Sequence, residues 1–147
     1  MLELDGEPFT TGRATYLDDA KGAVDEARVF VRVKLEQVGV LLFALDTGSP
    51  WCVLDPEVAE AIGAFEIGGE PQTLLAWGNK VAGKLVRLPL TLLAEQGDSL
   101  DVSEVLFFVS RDTAPGRRVL GYSTFLSHIR IGLDPGRNAF HFGPAER

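Results

Sequence analysis

From Arg28 the chain alternates apolar and polar positions. Val29, Val31, Val33 and Leu35 fall on one side, with Phe30, Arg32 and Lys34 between them, the period of a half-buried strand. Gln37-Val38-Gly39 turns the chain. Val40 to Leu45 is then a continuous apolar run, suited to a buried strand, and it stops at Asp46. Asp55 as an N-cap, Pro56 at the first helical position, Ala59, Ala61 and Ile62, and a closing Gly63 predict a short helix. Beyond Gly68-Gly69 and Pro71 the pattern returns to strands. Thr73 to Trp77 leads into Gly78-Asn79-Lys80, and Val81 to Leu93 forms a long return. Gly97-Asp98 marks a turn before the strand Val102 to Val109. Arg111 to Arg118, with Pro115-Gly116, reads as a solvated loop that includes Arg117 and Arg118. Ser123 to Ser127 predicts a short helix. Ile129 and Ile131 open a final hairpin, turned at Asp134-Pro135-Gly136 and returning through Phe140 and Phe142, with His141 expected at the surface. Many short strands and one or two small helices define a mostly-β domain over residues 27–147. Residues 1–26, with Gly6, Pro8, Gly12 and the pairs Asp18-Asp19 and Asp25-Glu26, form an N-terminal extension without an assigned role.

At 147 residues the chain holds one domain with a real core and leaves no room for a second homologous lobe. A formal charge of −7 and a pI near 4.8 argue against nucleic acid as a partner. No segment has the make-up of a signal peptide or the length of a membrane span, so the expectation is a cytoplasmic protein without membrane contact. Cys52 is the only cysteine, which excludes an intramolecular disulfide and suits a small buried hydrophobe. Together with His128 and His141 it makes no zinc set, and neither metal nor cofactor is expected.

Asp46 is the position with chemistry. A carboxylate at the end of a buried strand is costly unless hydrogen bonds compensate it, and Thr47-Gly48-Ser49 offers two hydroxyls and a close-approaching backbone. Such a turn holds an ionisable group where its protonation is tuned.

Leu42-Phe43-Ala44-Leu45-Asp46-Thr47-Gly48-Ser49 resembles the active-site signature of aspartic proteases. Val119-Leu120-Gly121 is similar to the family's apolar-apolar-glycine segment beneath the catalytic loop, and Ser123-Thr124-Phe125-Leu126 to its short C-terminal helix. Leu75-Ala76-Trp77-Gly78-Asn79-Lys80-Val81-Ala82-Gly83-Lys84-Leu85 resembles the flap hairpin, with tryptophan where pepsin-like flaps carry tyrosine. The order covers roughly residues 28 to 142. One Asp-Thr-Gly in a one-lobe chain points to the retropepsin branch, whose members pair one aspartate from each subunit of a homodimer.

The resemblance implies a single-domain closed β-barrel of the acid protease type. It implies peptide or protein substrates, Asp46 as the catalytic residue, and Thr47, Gly48 and Ser49 as loop support. The Ser49 hydroxyl would bond the carboxylate, and Thr47 would interlock across the two-fold axis. Trp77, Gly78 and Asn79 would close over an extended peptide. The family's termini build an interface sheet, which makes Asn138 to Phe142 the interface candidate. Two alternatives stand beside the endopeptidase: a silent retropepsin-fold module that binds extended peptides or mediates dimerisation, and an unrelated barrel carrying Asp-Thr-Gly as an ordinary turn.

Overall fold

The computed structural model describes residues 1–18, 29–76 and 78–145. Strand β1 (Glu3–Leu4) and β2 (Glu7–Pro8) make a small hairpin, followed by β3 (Gly12–Thr15) and β4 (Leu17–Asp18). The central elements are β5 (Val29–Leu35), β6 (Gly39–Asp46), β7 (Cys52–Val53), helix α1 (Pro56–Ala61), β8 (Glu70–Ala76) and β9 (Asn79–Leu92). The chain finishes with β10 (Gln96–Gly97), β11 (Leu100–Val109), β12 (Val119–Gly121), a 3-10 turn at Leu126–His128, β13 (Ile129–Asp134) and β14 (Ala139–Pro144). Among the described residues no helix is long and apolar enough to cross a membrane.

Eight strands form one sheet in the order β4-β5-β6-β12-β7-β11-β9-β8. A further pairing of Val33 with Leu92 and Lys34 with Thr91 brings β9 back onto β5. The core lies inside this winding. Val31, Val33 and Leu35 enter it from β5 as the alternation predicts, and Phe43 meets Phe107 edge-on with ring centroids 6.3 Å apart. The apolar run of β6 is not buried on both faces. Phe43 points inward, whereas Val40 and Leu42 are 53% and 37% exposed, because hydrogen-bonding neighbours on both edges still leave one face of the strand outside the core.

The second sheet has the order β10-β3-β14-β13. Gly12–Thr15 lies in the N-terminal segment yet pairs with β14, Ala14 opposite Phe140, and Ala14 and Tyr16 join the core. This corrects the expected interface strand. Residues 139–142 are buried and flanked on both sides by strands of their own chain, so they have no free edge for a partner. His141 is likewise not at the surface: it is 8% exposed, and its Nδ1 has no hydrogen-bond partner among the described residues. The expected helix at Ser123–Ser127 is reduced to the 3-10 turn, because Thr124 is engaged by a distant part of the chain described below. Asp55 has the extended conformation of an N-cap, but its side chain makes no capping bond.

Candidate active site

Strand β6 delivers Asp46 as its last residue, half-buried, and the chain turns at once. The Gly48 N–H donates to the Asp46 Oδ1 at 2.9 Å, and the Ser49 N–H donates to the Asp46 carbonyl at 3.2 Å. A Cβ on Gly48 would stand 3.2 Å from that same Oδ1, so glycine lets the amide come this close. Thr47 and Gly48 are exposed. The Ser49 hydroxyl differs from the expectation: it donates to the Trp51 carbonyl at 2.7 Å instead of to the carboxylate.

Strand β12 runs parallel to β6, with Val119, Leu120 and Gly121 opposite Ala44, Leu45 and Asp46. Gly121 therefore stands level with the carboxylate residue. A side chain there would collide with the Trp51 carbonyl and come within 2.8 Å of the Ser49 carbonyl, so only glycine fits. The segment that follows ties down the loop. Tyr122 N–H donates to Ser49 O at 2.7 Å and Thr124 N–H to Pro50 O at 3.2 Å. The Thr124 hydroxyl accepts the Cys52 N–H at 3.2 Å and reaches the Cys52 Sγ at 3.7 Å, and the Gly121 N–H meets that sulfur at 3.4 Å. Burial pushes the Cys52 thiol up to about 11, against the lowering effect of the Gly121 and Thr124 bonds. It is an unreactive packing residue beneath the loop.

Arg118 takes part in the same brace, and the sequence reading missed it. Its carbonyl accepts the Ala44 N–H at 2.9 Å and its Nε donates to the Leu42 carbonyl at 3.1 Å. Its Nη1 pairs with Asp55 at 3.3 Å, a carboxylate only 2% exposed. The arginine expected in a solvated loop thus clamps the strand carrying Asp46 to the start of α1. Only the nearness of Arg118 to Val119-Leu120-Gly121 hinted at this, since the partner Asp55 already had a local explanation.

Gly78 and Asn79 stand on a different element. In the β8–β9 hairpin Ala76 pairs with Asn79, and Gly78 occupies the left-handed region at φ +78° with open space around it. Trp77 lies outside the described residues. Leu75 is 70% exposed. At the hairpin base the Lys84 ammonium donates to the carbonyls of Phe65, at 2.7 Å, and Ile67. Asn79 also lines a cavity of about 240 Å³ bounded by Val53, Leu74, Val81 and the turn residues Asp112, Thr113, Ala114 and Arg117. The fold thus brings Asp46–Ser49 and Val119–Gly121 into one unit and sets Gly78 and Asn79 on a separate hairpin.

This arrangement is a retropepsin-like fold. A retropepsin-like aspartic protease from Rickettsia conorii matches with a TM-score of 0.60 over 88% of this chain and 98% of that one, at 15% sequence identity. The retroviral protease-like domain of Ddi1 from Leishmania major matches with a TM-score of 0.54, covering 80% of this chain and 93% of that one, at 16% identity. No protein-family model and no curated protein matches the chain.

Proposed function

We propose that the protein is an aspartic endopeptidase whose active site forms between two copies of the chain, each supplying Asp46. The observation that carries this is Asp46-Thr47-Gly48 at the end of β6, held against Gly121 of the parallel strand β12, in a retropepsin-like fold. In one copy the carboxylate is half-open and, among the described residues, has one N–H donor, so half a site is present. A two-fold axis beside Asp46 would bring in the second carboxylate by an isologous contact. The circuit of pairings through β5, β6, β12, β7, β11 and β9 is read as the closed barrel, with Gly12–Thr15 packed onto it from the N-terminal segment. Thr47 would meet its symmetry mate, and Trp77, Gly78 and Asn79 would cover the peptide.

Two carboxylates about 3 Å apart cannot both ionise, so the pair holds one proton. The ionised Asp46 takes a proton from a water lying between the two groups, and the resulting oxygen attacks the peptide carbonyl. The protonated Asp46 donates to that carbonyl oxygen, and the proton gained from water passes to the leaving nitrogen. The Gly48 N–H steadies the charged carboxylate throughout.

A second reading is a silent module that binds extended peptides or dimerises. It is favoured by the Ser49 hydroxyl, turned to the Trp51 carbonyl and away from the carboxylate. Peptide hydrolysis at mildly acidic pH, run with the wild type and Asp46→Asn, separates the two. The endopeptidase predicts a loss of at least about a thousandfold in the variant, with unchanged thermal unfolding. Equal residual cleavage in both proteins rejects it, and sedimentation showing a strict monomer at assay concentration removes the shared site.

A further inference from the structure

The turn between β11 and β12 carries three arginines, and two of them are engaged. Arg111 pairs with Glu60 at 2.9 Å and lies over the Phe65 ring at 4.1 Å. Arg118 is bound to Asp55 and to the Leu42 carbonyl. Arg117 is the third. It is half-buried, and among the described residues its guanidinium has neither a hydrogen bond nor an ion pair. It lines the cavity of about 240 Å³ whose apolar surface comes from Val53, Leu74, Val81 and Ala114. A half-buried cation beside apolar walls is poorly hydrated, and a carboxylate is the partner its planar fork fits best.

The register sets the distance of this cavity from Asp46. Val119 is paired with Ala44 on one side and with Val53 on the other, and Asp46 lies two residues beyond Ala44. With strands about 4.8 Å apart and a rise of about 3.3 Å per residue, Val53 stands roughly 12 Å from Asp46. An extended peptide cut at Asp46 would bring a side chain there within about four residues of the bond.

We infer that this cavity is a side-chain subsite of the candidate active site, and that Arg117 makes it select an acidic residue. The inference rests on the peptide reading above. The stem of the acidic residue would lie along Leu74 and Val81, with its carboxylate on the guanidinium. Asp112 also lines the cavity. It is exposed, and its N–H is bound to the Ser110 hydroxyl; it opposes the selection, so removing its charge strengthens it. The chain's charge of −7 repels acidic peptides in general, so a preference for one must be local.

The test is a mixture of blocked octapeptides randomised at every position, incubated with the wild type, Arg117→Gln, Arg117→Lys and Asp112→Asn. Products are read by mass spectrometry, and thermal unfolding verifies that each variant folds. The expected result is glutamate enriched about tenfold over glutamine at one position near the cut and at its counterpart on the other side, since each copy supplies the cavity. That enrichment is lost in Arg117→Gln, partly kept in Arg117→Lys and raised in Asp112→Asn. Cleavage without acidic enrichment, or with enrichment that survives Arg117→Gln, overturns the inference and leaves the endopeptidase standing. Enrichment of basic residues that disappears in Asp112→Asn overturns it in favour of Asp112 as the reader. If nothing is cleaved, the endopeptidase fails, and the same mixture is passed over immobilised Asp46→Asn protein. Retention of glutamate peptides that needs Arg117 supports the subsite in a binding module, and no retention overturns it.

Discussion

The Asp46 loop and the β8–β9 hairpin are both sharp turns carrying proposed site residues, and they are held in opposite ways. The loop is fixed from outside itself, by Gly121, Tyr122 and Thr124 on its floor and by Arg118 reaching from strand to helix. The outer part of the hairpin has its own ladder, and Lys84 secures only the base. Under the proposed function this difference has a use: a carboxylate that is to meet its counterpart would need a floor that does not yield, and a cover that is to admit a peptide would need an end that can lift.

The same substitution made in both places breaks the comparison most sharply. Gly121→Ala is expected to cost about 3 to 4 kcal/mol in urea unfolding, since two carbonyls that already accept hydrogen bonds or crowd the site must move. Arg118→Met comes next, at about 3 kcal/mol, because it leaves the Asp55 charge buried without its partner. Adding Asp55→Asn to it should return part of that loss in a double-mutant cycle. Gly78→Ala meets no neighbour and bears only the strain of its left-handed backbone, about 1 kcal/mol. A cost at Gly78 equal to that at Gly121 would erase the distinction between floor and cover.

The smallest effect comes from a third region. Burial first, then Arg13 and the chain's amino group, hold His141 below the ordinary histidine value of 6.5, while Asp134 pulls the other way. The unfolded chain therefore takes up this proton at a higher pH than the folded one. The stability tied to neutral His141 is complete above pH 6.5 and is lost as pH falls from there toward the folded value. Urea midpoints across that window should fall in the wild type and flatten in His141→Gln, with floor and hairpin unaffected.

Most of what could be read from the sequence followed from local rules. Alternation located β5 and glycines marked the turns, while the resemblance, and no local rule, set Val119-Leu120-Gly121 beneath the Asp46 loop. What escaped depended on partners far along the chain. Arg118 looked solvated because Asp55 had a nearer explanation as a cap. Ser123–Ser127 looked helical because the demand of Cys52 and Pro50 on Thr124 leaves no local trace. His141 alternates with Phe140 and Phe142 as an outward residue should, and only the approach of the N-terminal segment, with Leu2 over Gly132 and Thr11 against Gly143, buries that face.

The strand β14, flanked by β3 and β13, also has a bearing on how the molecule is made. β3 is made well before β14, with most of this sequence lying between the two paired strands. Ala14 and Tyr16 must wait for Phe140 and Phe142 before they are covered, and a contact of such long range is slow to close. Until β14 is made, β3 has at most the short β10 beside it and keeps one edge open, and an open, partly apolar edge is where a chaperone or a second nascent copy would find something to hold.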